Sequence, residues 1–311
     1  MMKIVFMGTS AFSVPSLQKM LETQHEIIGV ITQPDRPRGR GQKLIPSPVK
    51  EFALNNGLQI YQPARIRDDE AIDQLRSWDP DLVVVVSYGQ IIPAEILDFP
   101  KLGCINVHAS LLPRYRGAAP IQRAIMAGES VSGITTMAMD KGLDTGDIIL
   151  QLPVKIGADM DYGIYSEILA NAGADLLIDT LAILQSGSYP RRRQNPGKAT
   201  YAHMINREEE KIDWRRPATD IYNLIRALSP QPAAYTSFGE HRFKIFSARV
   251  TDSNTGAAPG EIVKIGPQAM VVQCADGALD LQELQLAGKK RMPSSEFLKG
   301  FKLNVGDKLG N

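Results

Sequence analysis

Residues 82–88 read Leu82-Val83-Val84-Val85-Val86-Ser87-Tyr88. Five consecutive aliphatic side chains leave neither face of an extended chain polar, which is the pattern of a strand covered by helices on both sides, as in parallel sheets. Working outward, β-type runs lie at residues 3–8 and 26–32 before it and at 104–109, 134–139 and 148–154 after it. Between them, residues 14–23, 49–56, 69–77 and 120–127 are each long enough for a crossover helix. The alternation predicts an α/β domain with a Rossmann-like open, mostly parallel sheet. Ligands of such sheets sit beyond the C-terminal ends of the strands, which says where to search for a site.

A helical stretch at 162–185 follows, and then the composition changes. Residues 186–197 are rich in Gly, Pro and Arg and read as an interdomain linker. Beyond it come a helix around residues 219–228 and short runs at 234–238, 242–250, 260–265, 269–274 and 278–285, whose turn-like spacing predicts a small β-barrel. We therefore expect a first domain at 1–189, a linker at 190–205 and a second, OB-like barrel domain at 206–311. The 311 residues, 43% of them apolar, suffice for two cores. The whole-chain charge of +1 hides an asymmetry, because residues 1–190 hold 16 basic and 21 acidic residues and residues 191–311 hold 19 and 13. An anionic partner would go to the second part. Two cysteines, Cys104 and Cys274, are too few for a disulfide framework and suit a reducing cytoplasm. No apolar run approaches a membrane span, and Met1-Met2-Lys3 leads into a strand pattern rather than a signal peptide.

The segment that carries chemistry is Cys104-Ile105-Asn106-Val107-His108-Ala109-Ser110. With a period of two, Cys104, Asn106, His108 and Ser110 share one face of a strand, and Asn106 and His108 address the same space. An amide N–H and an imidazole N–H are suitable donors for a carbonyl oxygen that becomes an oxyanion during acyl transfer. Such a site also needs a group that handles the proton of an attacking amine. A glycine-punctuated acidic loop, Asp140-Lys141-Gly142-Leu143-Asp144-Thr145-Gly146-Asp147, follows the run at 134–139, and Asp144 is the candidate. One crossover helix separates the two runs, so their ends are expected side by side.

The run from Asn106 to Pro120, with Ser110-Leu111-Leu112-Pro113 inside it, together with the loop from Asp140 to Asp147, resembles the formyltransferases that use 10-formyltetrahydrofolate. The resemblance continues nearly end to end with the members that act on methionyl-tRNA. It includes residues 5–15, Gln33-Pro34-Asp35-Arg36-Pro37-Arg38-Gly39-Arg40-Gly41-Gln42-Lys43, the 201–203 and 211–214 junctions and the basic β-rich tail. The resemblance implies the formyltransferase fold, with Asn106, His108 and Asp144 as catalytic residues. It implies that Ser110, Leu111, Leu112 and Pro113 bind the folate co-substrate. It also implies that Arg36, Arg38, Arg40 and Lys43 reach the acceptor stem of initiator methionyl-tRNA, with the tail lying against the tRNA. Independently of the resemblance, residues 34–43 carry four cations and one acid among Pro and Gly, so the loop can follow phosphates but cannot bury a core.

Other chemistries fit less well. Gly8-Thr9-Ser10-Ala11-Phe12 lacks the spacing of a dinucleotide turn, and residues 39–43 lack that of a phosphate loop. The histidines His25, His108, His203 and His241 show no ligand spacing, so no metal is expected. Ser10 and Ser110 lack a nucleophile elbow. The expected reaction is formyl transfer to the α-amino group of methionyl initiator tRNA by a cytoplasmic monomer. The alternatives are formylation of an amino sugar nucleotide on the same catalytic domain, and a non-catalytic tRNA-binding protein, against which the intact Asn, His and Asp set speaks.

Overall fold

The computed structural model describes residues 1–38, 43–187, 190–252, 255–266 and 269–310. The chain divides into two compact units, one of residues 1–120, 131–155 and 166–202, the other of residues 121–130, 156–165 and 203–311.

The first stretch of chain runs through β1 (Lys3–Gly8), α1 (Val14–Leu21), β2 (Glu26–Ile31), a ribbon of β3 (Arg36–Arg38) and β4 (Lys43–Ile45), α2 (Pro48–Asn55), β5 (Ile60–Tyr61), α3 (Asp69–Trp78), β6 (Leu82–Val86), α4 (Ala94–Leu97) and β7 (Cys104–His108). It continues through α5 (Pro120–Met126), β8 (Val131–Ala138), β9 (Ile148–Lys155) and α6 (Tyr162–Gln185). The described residues of the first unit form a sheet in the order β5-β2-β1-β6-β7-β8-β9. Strands β5 to β7 pair parallel, and all five residues of β6 are buried, as an aliphatic run between two helix layers requires. Local chemistry sets the helix starts. Pro15 stands in the first turn of α1, and Ser47 caps α2 by accepting from the Lys50 amide at 3.0 Å just ahead of Pro48.

One expectation needs correction. Strands β8 and β9 run antiparallel to their neighbours, so α5 is not a parallel crossover and the ends of β7 and β8 do not adjoin. Asn106 instead faces Met137 and His108 faces Thr135. A β-type run does not encode strand direction, and a helix between two runs resembles a crossover whichever way the second strand points.

Helix α6 covers the apolar face of β7 and β8. Gly173 sits so close that an added Cβ would lie 3.1 Å from Val107, and the Thr180 hydroxyl bonds that of Thr136 at 2.8 Å. With Ile105 and Val107 turned to this layer, Asn106 and His108 necessarily project from the other face. Residues 190–202, marked by composition as a linker, are hydrogen-bonded along the first unit. Arg192 exchanges both backbone bonds with Ile148 at 2.9 Å, and Arg116 does so with Thr200 and Ala202 at 2.9 and 2.6 Å.

The second unit contains α7 (Ala218–Leu228), β10 (Ala234–Phe238), β11 (His241–Thr251), β12 (Ile262–Gly266), β13 (Ala269–Gln273), β14 (Ala278–Leu286), β15 (Met292–Pro293) and α8 (Ser294–Gly300). Its described strands form an antiparallel sheet in the order β10-β11-β14-β13-β12, with β15 added beside β14. The buried stripe of α7, Ala218, Ile221, Leu224, Ile225 and Leu228, packs in one cluster with Phe243, Leu281 and Leu284 of the sheet. Trp214 closes the cluster, donating its indole N–H to the Thr236 hydroxyl at 3.0 Å.

A close backbone approach in the first unit lies beside the Ser110 to Pro113 turn. A Cβ on Gly133 of β8 would lie 2.2 Å from the Leu152 carbonyl oxygen of β9 and 2.7 Å from the Leu111 side chain. Gly133→Ala must therefore push β9 and Leu111 away, and we expect it to destabilise the first unit by about 1–3 kcal/mol. Urea unfolding read by circular dichroism checks this; an unchanged midpoint would show that the two strands separate at no cost.

Candidate active site

The site grows from the polar row of β7. Asn106 is half-buried and His108 is buried. His108 Nε2 lies 2.9 Å from the Tyr115 carbonyl oxygen, a contact that only a protonated nitrogen can make, so Nε2–H donates there. The other ring nitrogen, Nδ1, faces Asp144 Oδ2 at 3.7 Å. Asn106 Nδ2 donates to Asp144 Oδ1 at 3.3 Å. The three residues selected from sequence thus converge, with the carboxylate between an amide and an imidazole.

Asp144 reaches this place by an unexpected route. Because β8 is antiparallel to β7, it ends beside the start of β7, where the Met139 amide bonds the Cys104 carbonyl at 2.8 Å. His108 is four residues further along, about 13 Å at the usual strand rise. The loop turns back along β7 through bends over residues 141–144, and the Asp144 side chain completes the reach to Asn106 and His108. Asp140 shapes its first turn by accepting from the Gly142 amide at 3.0 Å and the Thr145 hydroxyl at 2.5 Å. Asp144 itself takes a left-handed φ of 52°. Gly146 rests against β8 so tightly that a Cβ would lie 1.8 Å from the Ala138 carbonyl oxygen.

Two further groups hold Asp144. The Gly117 amide donates to its Oδ2 at 2.8 Å. The Gln194 side-chain amide donates to the carbonyl oxygens of Asp144 and Gly146 at 2.8 and 2.7 Å, while its Oε1 accepts from Arg116 Nε and Nη2 at 3.1 and 2.7 Å. Sequence reasoning missed Gly117, Arg116 and Gln194. The first two lie within the motif that carries the resemblance and have no intrinsic chemical signature, and Gln194 stands in a Pro, Arg and Gly run that reads as solvated.

The turn after β7 is largely occupied with its own structure. The Ser110 hydroxyl is buried and donates to the Arg114 carbonyl at 2.6 Å. The Leu112 amide donates to the Thr135 hydroxyl at 3.1 Å and its carbonyl accepts from Gln151 at 2.9 Å. Leu112 is buried against Met137 and Ile148. Leu111 and Pro113 are half-buried, and the Leu112–Pro113 peptide is cis.

A cavity of about 260 Å³ opens where the sheet order reverses between β1 and β6, lined by Thr9, Ser10, Gln33, Arg36, Ser47, Ser87 and Tyr88 among others. This is the topological switch point, the usual ligand crevice of open α/β sheets. The Thr9 hydroxyl donates to the Tyr88 carbonyl at 2.9 Å and Ser10 bonds Ser87 at 2.9 Å, joining the two strand ends. Of the cations expected to contact tRNA, Arg36 lies at this cavity, while Arg38 and Lys43 pair through their backbones across the β3–β4 ribbon. Arg40 lies outside the described residues. The acid in that loop, Asp35, is already matched, since hydrogen bonds from the Lys50 ammonium and from Gln62 hold its carboxyl below the usual carboxylate range. Burial pushes the thiols of Cys104 and Cys274 up to about 12, so neither is a nucleophile near neutrality.

Among the described residues no group of three or more His, Cys, Asp or Glu side chains gathers in a way that could hold a metal ion. No helix among them is long and apolar enough to cross a membrane.

Comparison with known proteins adds to this geometry. A formyl transferase family model matches residues 2–181, and a formyl transferase C-terminal domain model matches residues 204–302. A methionyl-tRNA formyltransferase of Syntrophomonas wolfei is 50% identical over 311 residues, covering 100% of this chain and 99% of the relative. Among solved structures, HypX from Aquifex aeolicus in complex with tetrahydrofolic acid shares the fold with a TM-score of 0.69 at 18% identity, covering 99% of this chain and 48% of HypX. This chain therefore spans about half the length of HypX. Methionyl-tRNA formyltransferase from Clostridium thermocellum shares it with a TM-score of 0.56 at 20% identity, over 82% of this chain and 95% of that one. With matches to both domain models and half of its residues identical to a full-length relative, the chain belongs to the formyl transferase family.

Proposed function

We infer that the protein transfers the formyl group of 10-formyltetrahydrofolate to the α-amino group of methionine esterified to initiator tRNA, giving N-formylmethionyl-tRNA. The observation that carries the reading is the convergence of Asn106 and His108 on the Asp144 carboxylate, in a chain half identical to a methionyl-tRNA formyltransferase. The folate lies in the crevice beyond the C-terminal strand ends, against Leu111 and Pro113, with Ser110 and Leu112 fixing the turn that presents them. The acceptor end enters along the Arg36 loop, and the basic residues beyond 190 take the body of the tRNA. The neutral thiols suit action in the cytoplasm, and we take the working form to be a monomer.

The chemistry follows from the geometry. As the neutral amine attacks the formyl carbon, the formyl oxygen gains charge. One hydrogen of the Asn106 amide is engaged by Asp144, and the second donates to that oxygen. With Nε2 held by the Tyr115 carbonyl, Nδ1, which faces Asp144, is the ring nitrogen of His108 left to take part in the chemistry. Asp144 accepts the proton of the attacking amine, directly or through one water, and returns it to N10 of the folate as the carbon–nitrogen bond to the donor breaks.

Losing an oxyanion donor costs about 100-fold or more in turnover, so Asn106→Ala should lose most of kcat while binding tRNA normally. Near-normal turnover in that variant would remove Asn106 from the mechanism.

Replacing Arg36, Arg38 and Arg40 together with alanine is expected to weaken use of methionyl-tRNA and to make the log–log salt dependence of tRNA binding shallower by about 2–3. Folate affinity, measured by fluorescence titration, should stay constant. An unchanged salt slope would mean that the loop does not meet phosphates.

Charged initiator tRNA, charged elongator methionyl-tRNA and free methionine, each offered with the formyl donor, test the substrate directly. Transfer confined to the initiator is the expected result. Transfer to none of them, with folate still bound, would redirect the reading to amino sugars.

A further inference from the structure

We propose that Gln194 is a positioning residue that holds Asp144 in register with Asn106 and His108, and that Arg116 sets the orientation in which Gln194 does so. The proposal rests on the reading of Asp144 given above.

Asp144 occupies a backbone conformation that side chains other than glycine adopt reluctantly, with φ at 52°. Something outside the loop must select it. The side chain of Gln194 reaches the loop backbone at two carbonyls, those of Asp144 and Gly146, which flank Thr145. Both hydrogens of its amide are used there, and the two contacts fix the direction of the chain through Thr145 as well as the height of the loop. Gln194 is 6% exposed and Arg116 4% exposed, so water does not compete effectively for these bonds.

The guanidinium of Arg116 resolves an ambiguity of the amide. Glutamine is nearly symmetric in shape, and turned over it would set its oxygen against two carbonyl oxygens. Arg116 offers two N–H donors to the opposite end, so only the orientation with Oε1 on Arg116 and Nε2 on the loop satisfies every group. Arg116 is itself held by backbone bonds to Thr200 and Ala202. It also precedes Gly117, whose amide holds the Asp144 carboxylate. The contacts close a ring. Gly117 grips the side chain of Asp144, Gln194 grips its backbone, and Arg116 joins the two by one covalent neighbour and one forked hydrogen bond. Moving Asp144 away from His108 therefore breaks contacts at both ends.

A double-mutant cycle separates this role from a general contribution to folding. Single-turnover formyl transfer to charged initiator tRNA is measured for Gln194→Met, Gln194→Glu, Asp144→Asn and the Gln194→Met/Asp144→Asn pair. Asparagine tolerates the left-handed backbone at 144, so Asp144→Asn removes the proton acceptor and keeps the chain path, with one of the Asn106 and Gly117 donors losing its partner. Gln194→Met keeps the length of the side chain and loses all four hydrogen bonds. Misplacing a reacting group by about 1 Å costs up to about 100-fold, so Gln194→Met should slow transfer about 10- to 100-fold. KM for both substrates should move by less than about threefold, the signature of an interaction that matters in the transition state. Gln194→Glu keeps an acceptor for Arg116 but sets oxygen against the two loop carbonyls, and it should slow transfer to a similar degree. It also provides the second test if Gln194→Met does not fold. In the Asp144→Asn background Gln194→Met should cost less than about threefold, because no carboxylate is left to position.

An equal cost of Gln194→Met in both backgrounds would overturn the proposal and make Gln194 a residue of the fold alone. Full activity of Gln194→Met beside a crippled Asp144→Asn would overturn the clamp and leave the reading of Asp144 standing. Full activity of Asp144→Asn would overturn both.

Discussion

The antiparallel pairing of β8 with β7 creates a distance that the rest of the site must bridge. It delivers the chain to the start of β7, at Cys104, while the imidazole that Asp144 faces stands at the far end of the strand. A parallel β8 would have brought the loop directly to His108. As built, the loop has to turn back through bends over residues 141–144, a stretch with no helix or strand pairing of its own. The stability of the site then depends on external hydrogen bonds. Gly146 lies against Ala138 without room for a side chain, and Gln194 and Gly117 supply the donors.

Magnitudes make this arrangement reasonable. A left-handed residue other than glycine costs about 1–2 kcal/mol, and a hydrogen bond to a charged group contributes about 1.5–3 kcal/mol. The Gly117 amide on the Asp144 carboxylate alone offsets the backbone at 144, so the contacts from Gln194 are free to select position rather than merely to permit it. The acid that precedes Asp144 in the loop has another part. Asp140 uses its carboxylate on the Gly142 amide and the Thr145 hydroxyl and so shapes the loop. On the proposed reading, Asp144 is the acid of this loop presented to chemistry.

Much of this was legible in the residues, for identifiable reasons. The aliphatic run of β6 could only be a doubly covered strand, and the period of two in β7 put Asn106 and His108 on one face because Ile105 and Val107 had to meet a helix. Strand direction was not legible, since a run such as that of β8 has the same composition either way. Nor was the frame around Asp144. Gln194 acts through carbonyl oxygens, which every residue carries, and its partner Arg116 spends its guanidinium on a neutral amide rather than on an acid that sequence could have paired with it. In the Ser110 turn a motif associated with ligand binding proved to use its hydroxyl and part of its backbone internally. Resemblance identifies such a motif without saying which of its atoms remain for a ligand.

The charge distribution indicates how recognition and chemistry divide. In the Arg36 loop the one acid is paired with the Lys50 ammonium and accepts a hydrogen bond from Gln62, so it does not cancel the loop's cations. Beyond residue 190 the basic excess is larger still. Around Asp144 the logic is the reverse: the carboxylate is met by an amide side chain, a backbone amide and an imidazole, groups that hold it without a permanent counter-charge. A lysine or arginine there would bind the carboxylate more tightly and weaken its ability to accept a proton from an amine. Neutral donors fix Asp144 in place without setting a permanent positive charge beside it. On the proposed reading, polyanion binding falls to exposed cations whose contribution salt can screen, and the proton transfer to a buried network that salt scarcely reaches.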